Sequence, residues 1–588
     1  MTSRKPENGE KTGRRPVQVT AADAVSGVFL RHNISAAFGL PGTQNLGMID
    51  LLRRSAIPFT TTATETGAAF MAIGYQRASG RLPLVLTIPG PGALYAIPGI
   101  AEARDDSVPL VWIVAAHPDR SKRFGLQGVS IEGAAAPVVK KIFTPALAAE
   151  IPAAIDVAVR TARSGEPGPV LVLIDDRKLD ELITAPIALA PAENDPPQEA
   201  IEKLRKRLST SARPLFFLGL GAEGERRALI ELAGRCGAAV TTTLSGRGAI
   251  AEDDGRSIYH DFSSGTGPGI QRLFERADLV VACGVKFSHN GTGGFSLKIL
   301  KDKLIHIDSS AGSLGGDYPA SIGINADLSK VVPALADVKS SAGWDQAELD
   351  SIRAAIKKEN SALTDTEPAV RSGIRTIPWR FFFNGFFGRR LNGWIVTTDS
   401  GLHQILIRRL LTVTEPRSFF VPADFQSMGY SIPAAGGAAL YQQRTDRQER
   451  RSVAAVVGDG SLLFSLGELA TIRRERLDLV VIVINDGGYG LIRRQQISRT
   501  GVSSGMDLAI PDLPALAASL GARYVRYSQA ASITLEQLKQ YSGLTIVEVE
   551  TVEPHSISRT KLRAFSREVV RRLLGPNLIA RVRRIVRK

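Results

Sequence analysis

The sequence predicts an α/β protein made of three doubly wound parallel-sheet domains. At 588 residues the chain is several times a typical domain, long enough for about three or four separate cores. Strand-length apolar runs alternate with helix-like stretches in three segments of similar size, the pattern of parallel strands joined by crossover helices. A hydrophobic fraction of 44%, with 56 Gly and 32 Pro, supplies turn residues for many short elements.

Residues 1–15 carry both charge signs and no apolar run, which excludes a secretory signal and reads as a flexible arm. The first domain, 16–188, contains PLVLTIPG, PLVWIVAA and PVLVLID as buried strands. The Pro- and Ala-rich stretch APIALAPAENDPPQEA then reads as a linker. The central domain, 197–337, has PLFFLGLG, AAVTTTL, LVVACG and LIHID. Its GLGAEG (Gly219, Gly221, Gly224) formally matches the dinucleotide fingerprint, but a lone match after a strand is as readily a tight turn. A polar, charged linker, 338–377, leads to the third domain, 378–553, with WIVTTDSG, VAAVVGDG, LVVIVIND and LTIVEVE.

Residues 554–588 form a basic tail. From Arg559 onward it holds eleven Lys or Arg against one acid, so ten of the fifteen excess positive charges sit there and the remainder of the chain is nearly balanced. Charge so placed does not point to specific nucleic-acid binding. The tail could lie on an anionic membrane surface or an acidic partner, but a solvated terminal extension is the simpler reading. Two cysteines, Cys236 and Cys283, lie in apolar stretches without metal-like spacing, which suggests a reduced cytoplasmic protein. No run of about 18 uncharged apolar residues occurs, so no transmembrane helix is expected.

The strongest chemical signal is VAAVVGDGS (453–461) followed, after 24 intervening residues from Gly460, by Asn485 in VVIVINDGGYG. Both motifs end hydrophobic strands, which places Asp459 and Asn485 at the rim where α/β sheets bind ligands. One carboxylate, one amide oxygen and one backbone carbonyl suit Mg²⁺, which takes hard oxygen ligands and completes its shell with phosphate oxygens. Gly458, Gly460, Gly487 and Gly488 let the backbone approach a diphosphate closely.

GDGS with NDGG resembles the thiamine diphosphate motif of the acetolactate synthase superfamily. FGLPGTQNLGMIDLL, TETGAAFMAIGYQRASG, GPGALYAIPGIAEARDDSVPLVWI, TDSGLHQ and SMGYSIPAAGGAAL resemble acetolactate synthase segments in the same order, over about residues 16–553. The resemblance implies a pyrimidine-binding, a central and a diphosphate-binding domain, with thiamine diphosphate and Mg²⁺ as cofactors. Asp459, Asn485 and the carbonyl of Gly487 would hold the metal; Gly458, Gly460, Ser461 and His403 would meet the diphosphate, and Gly42, Gly90 and Tyr489 would complete the cofactor's surroundings. Met428 would wedge the cofactor into a bent form. Glu65 would be the catalytic acid, hydrogen-bonded to the aminopyrimidine, and Gln127 would face the substrate. Read from the residues alone, Glu65 is a first-turn helix acid and Gln127 a loop amide.

The implied activity is decarboxylation of a pyruvate-like 2-oxo acid with carboligation to a second oxo acid, as in branched-chain amino acid biosynthesis, in a homodimer or homotetramer. Thr64, Tyr95, Leu126, Gly128, Leu402 and the run Arg494-Gln495-Gln496 depart from the family pattern around the substrate. Simple 2-oxo acid decarboxylation, or another acyl transfer, is therefore an alternative, as is a catalytically silent cofactor-binding interaction protein. In the central domain Lys286-Phe287-Ser288-His289-Asn290 lacks charges associated with flavin in the family, which counts against FAD as a further cofactor.

Overall fold

The structure is a computed structural model and describes residues 18–115, 126–184, 195–361, 370–371, 374–375, 377–388, 390–528 and 533–551. The expected N-terminal arm, the basic tail and most of the Pro- and Ala-rich linker lie outside these residues.

Three parallel sheets dominate the chain. In the first, the strands lie in the order Phe59–Thr61, Ala37–Gly39, Leu84–Thr87, Leu110–Ala115, Pro169–Ile174 and Ile142–Phe143. The central sheet runs Ala239–Thr242, Pro214–Leu218, Leu279–Cys283, Leu304–Asp308 and Ile322–Asn325. The third runs Phe419–Phe420, Trp394–Thr398, Ser452–Gly458, Leu479–Asn485, Leu544–Glu550 and Arg523–Tyr527. The interior strands are buried along most of their length because crossover helices cover both faces of a parallel sheet.

In every sheet the winding reverses after the second strand in chain order. The chain passes from Ala37–Gly39 to a neighbour on one side, then crosses to Leu84–Thr87 on the other; in the third sheet the same reversal separates Trp394–Thr398 from Ser452–Gly458. Loops leaving the carboxyl ends of such paired strands diverge and open a crevice. The topology therefore marks a candidate site in each of the three sheets.

The first and third domains share one core. Helix Glu65–Ser79 packs along helix Ser431–Gln443 with backbones nearly touching: a Cβ on Gly74 would stand 1.8 Å from the Ala434 carbonyl oxygen, and one on Gly437 1.9 Å from that of Met71. Any side chain at either glycine must push the helices apart. The fingerprint glycines of the central domain serve a similar purpose. A Cβ on Gly219 would stand 1.9 Å from the Gly284 carbonyl oxygen and one on Gly221 2.9 Å from the Gly284 Cα, so these residues admit a neighbouring loop.

One expectation needs correcting. Helix Gln346–Ser361 falls in the stretch read as a linker, yet it packs Leu349, Ile352 and Ile356 onto the second face of the central sheet, against helix Pro268–Arg276. Three apolar residues on one helical face suffice for docking, although the segment's composition is mostly charged and polar. Cys236 and Cys283 are buried and unpaired within the central core. No helix among the described residues is long and apolar enough to cross a membrane.

Candidate active site

In the third domain the crevice is built from the loops after Trp394–Thr398, Ser452–Gly458 and Leu479–Asn485, three adjacent strands. Asp459, 3% exposed, links two of these loops. Its Oδ1 accepts the Gly460 N–H at 2.9 Å and its Oδ2 the Gly488 N–H at 2.7 Å. Asn485 donates from Nδ2 to buried Glu548 at 3.0 Å, which turns its Oδ1 away from the sheet; that oxygen meets the Gly487 N–H at 3.3 Å. The Gly487 carbonyl accepts from Arg493 at 2.8 Å and retains a second lone pair. Gly487 and Gly488 have φ of 80° and 137°, and a Cβ on Gly488 would collide with the Met506 carbonyl at 2.0 Å, so this turn requires glycine.

Tyr489 lays its ring against Gly460, where a Cβ would stand 2.7 Å from it. Ser461 donates to the Ser400 carbonyl at 3.3 Å. His403 is 4% exposed, burial lowers its pKa to about 4, and its Nε2 has no hydrogen-bond partner. It lies beside Gly401 and Gly458, whose Cβ positions would fall 2.8 and 3.1 Å from its Cε1. A neutral, buried imidazole with an unsatisfied nitrogen beside two glycines fits an oxygen-rich ligand. The groups present thus suit a diphosphate with Mg²⁺. No cluster of three His, Cys, Asp or Glu side chains able to hold a metal occurs among the described residues, so the metal would depend on one carboxylate, an amide, a carbonyl and the ligand's own oxygens.

The first-domain crevice gathers a second group. Glu65, 8% exposed, opens its helix behind Thr64, whose hydroxyl accepts the Gly67 N–H at 2.9 Å. Burial raises its pKa. Gly92 makes room for it: a Cβ there would stand 3.0 Å from Glu65 Oε1. Gly90, at φ 63°, abuts Gln127, and Gly42 abuts Ile88. Gln127 is half-buried at φ 57° and accepts from Gln44 Nε2 at 3.0 Å. The predicted residues therefore fall into two clusters, one at each sheet's switch point.

Three acids absent from the sequence reading shape the site, and two of them, Glu468 and Glu102, connect the first and third domains within one chain. Glu468, 1% exposed, accepts from the Ala63 and Thr64 N–H groups at 3.1 and 3.0 Å and from the Thr64 hydroxyl at 3.1 Å, anchoring the start of the Glu65 helix to the third domain. Glu102 accepts the Ser427 N–H at 2.9 Å; Asp399 accepts those of Gly429 and Ser431 at 3.0 and 2.9 Å. Met428, half-buried, is thus held on both sides by carboxylates. Asp399 ends a strand in the TDSG motif, a signal that could have found it. Glu102 and Glu468 sit in helices with nothing local to mark them.

Burial, with smaller contributions from the Asp105 and Asp399 carboxyls, pushes Glu102 up to about 7 from an ordinary 4.5, against the opposing bonds from Ser427. Between those values the folded protein holds a proton that the unfolded chain releases, so this group costs stability as pH rises through the window. Wild-type stability is expected to fall from pH 5 to about 7 more steeply than that of Glu102→Gln, measured by urea unfolding at each pH. Parallel profiles would remove Glu102 as the cause.

Comparison with known proteins agrees with this geometry. Residues 19–134 match the thiamine pyrophosphate enzyme N-terminal TPP binding domain, 201–335 the central domain and 399–549 the C-terminal TPP binding domain. The chain is 28% identical to the acetolactate synthase isozyme 1 large subunit of Escherichia coli (strain K12), over 81% of this chain and 83% of that protein. It is 27% identical to acetolactate synthase of Arthrospira platensis, over 82% and 84%. It is 28% identical to the probable acetolactate synthase large subunit of Methanocaldococcus jannaschii, over 81% of each. With its N-terminal, central and C-terminal domains matched in order, the chain belongs to the thiamine-diphosphate-dependent enzymes as an acetolactate synthase-like member.

Proposed function

We propose that the protein decarboxylates a pyruvate-like 2-oxo acid and joins the remaining fragment to a second 2-oxo acid, with thiamine diphosphate held through Mg²⁺. The observation that carries this reading is the Asp459 carboxylate fastening the GDGS loop to the NDGG loop, with the unsatisfied His403 Nε2 in the same crevice. Asp459, Asn485 Oδ1 and the Gly487 carbonyl would hold the metal; Gly458, Gly460, Ser461 and His403 would receive the diphosphate, with Tyr489 beside Gly460. When bound, thiamine diphosphate supplies a nucleophilic carbon for the oxo acid and an electron sink for its carboxylate loss.

The protein's contribution is position and a proton. Glu65, protonated more readily in its buried setting, would hold a proton at N1′ of the aminopyrimidine, with Gly42 and Gly90 giving the ring access. Met428, fixed from both sides, would support the cofactor's bend. Gln127 would face the substrate. The two clusters would meet in a homodimer, one chain giving Glu65 and the other Asp459. Exposed apolar residues beside each support this: Tyr95 (64%) and Leu126 (74%) near the first, Phe464 (62%) and Ile492 (47%) near the second. A reducing cytoplasm suits two buried free thiols.

The test is the product formed from pyruvate with both cofactors present. Acetolactate is expected; free acetaldehyde would transfer the assignment to simple decarboxylation, and no consumption of any 2-oxo acid would end the catalytic reading.

A further inference from the structure

The Asn485 side chain has two ends with opposite chemistry: its oxygen can serve a metal and its NH₂ cannot. Which end meets the crevice is decided behind it, within the third sheet. Glu548 lies on strand Leu544–Glu550, with strand Leu479–Asn485 on one side and the edge strand Arg523–Tyr527 on the other. It stands in register with Arg526, and Tyr524 precedes Arg526 by two residues, so both side chains share the face of the sheet that carries Glu548 and Asn485.

The hydrogen bonds across these strands run in one direction. Arg526, which can only donate, gives Nε to the Tyr524 hydroxyl oxygen at 3.1 Å and Nη2 to Glu548 Oε2 at 3.2 Å. Tyr524 passes its own proton to the same Oε2 at 2.5 Å. Burial first, and then the Glu548 carboxylate, raise the phenol to about 12, so that proton stays in place. The other carboxylate oxygen, Oε1, accepts from Asn485 Nδ2 at 3.0 Å. Glu548 is 5% exposed, which leaves water little part in this chain of donors.

We propose that Glu548, held by Tyr524 and Arg526, is a positioning residue that fixes the Asn485 amide with its oxygen available to the metal. This rests on the proposed binding of Mg²⁺ through Asp459 and Asn485, and adds what sets the orientation of the second of them. A carboxylate only accepts, so it admits Nδ2 and refuses Oδ1. Glu548→Gln reverses the choice. The two donors on the edge strand draw the new amide's oxygen, its NH₂ is turned toward Asn485, and the Asn485 amide inverts to present NH₂ where a metal needs oxygen.

The experiment is equilibrium dialysis of thiamine diphosphate against the full-length protein over a series of Mg²⁺ concentrations, for wild type, Glu548→Gln, Asn485→Asp and the double variant, with the unfolding midpoint of each measured without cofactor. Glu548→Gln is expected to need ~10–100-fold more Mg²⁺ for half-retention, the range for residues that orient a metal's ligands. Asn485→Asp alone sets two buried carboxylates against each other and is expected to lose at least about tenfold as well. Combined, the two changes match again, because the amide at 548 donates to one aspartate oxygen and leaves the other for the metal; the double variant is expected to retain cofactor at least about tenfold better than either single variant. A residue that merely props the sheet gives no such rescue. Should Glu548→Gln fail to fold, Asn485→Asp decides, and a wild-type Mg²⁺ requirement there would overturn the inference. Unchanged retention in Glu548→Gln, or a double variant no better than the single ones, would overturn it too while the cofactor site stands. No Mg²⁺-dependent retention in the wild type would remove the cofactor site itself, and this inference with it.

Discussion

Glu65→Gln lowers CO₂ release from a 2-oxo acid by ~10²–10⁴-fold, the range that one positioned proton-transfer group contributes, while leaving the unfolding midpoint close to wild type. The amide keeps the shape and the helix-opening position but cannot supply the acid's proton. Structural damage is a poor alternative explanation. The helix start is fixed by the Thr64 hydroxyl on Gly67 and by Glu468 on Ala63 and Thr64, none of which involves the Glu65 side chain. Saturating the assay with thiamine diphosphate separates lost chemistry from weakened binding. Equal rates for wild type and Glu65→Gln at saturation would refute the assignment.

Asp459→Ala abolishes Mg²⁺-dependent retention of thiamine diphosphate, with apparent affinity reduced by more than ~100-fold, since even residues that only orient a metal's ligands are worth about 10–100-fold. Two functions are lost at once: a metal oxygen, and the acceptor that ties the Gly488 N–H to the GDGS loop. Asp459→Asn preserves one acceptor and should fall between wild type and Ala. Equilibrium dialysis of cofactor with and without Mg²⁺ reads the effect. Unchanged, metal-dependent retention in Asp459→Ala would move the metal elsewhere.

Much of this was visible in the residues. Strands such as LVVIVIND are buried on both faces and so appear as unbroken apolar runs, and each carries its chemistry at its carboxyl end, where Asp459 and Asn485 are found. Glu65, Gly42, Gly90 and Gln127 became readable through the family resemblance, not through local pattern. What escaped depends on tertiary approach. Glu102, Glu468 and Glu548 look like ordinary charged positions, and only folding sets them against backbone N–H groups or an amide. Helix Gln346–Ser361 escaped for a different reason: its docking face has three apolar residues in a charged stretch, so average composition concealed it.

The near-touching backbones at Gly74 and Gly437 have a consequence for biogenesis. The helices they join are separated by about 350 residues, with the whole central domain between them. A ribosome adding about 5–20 residues per second needs roughly 20–70 s to cover that distance. Throughout that interval the emerging first domain carries an uncovered strip of alanine, methionine and tyrosine, a natural client for a chaperone, and its maturation must wait until about three quarters of the polypeptide has been made.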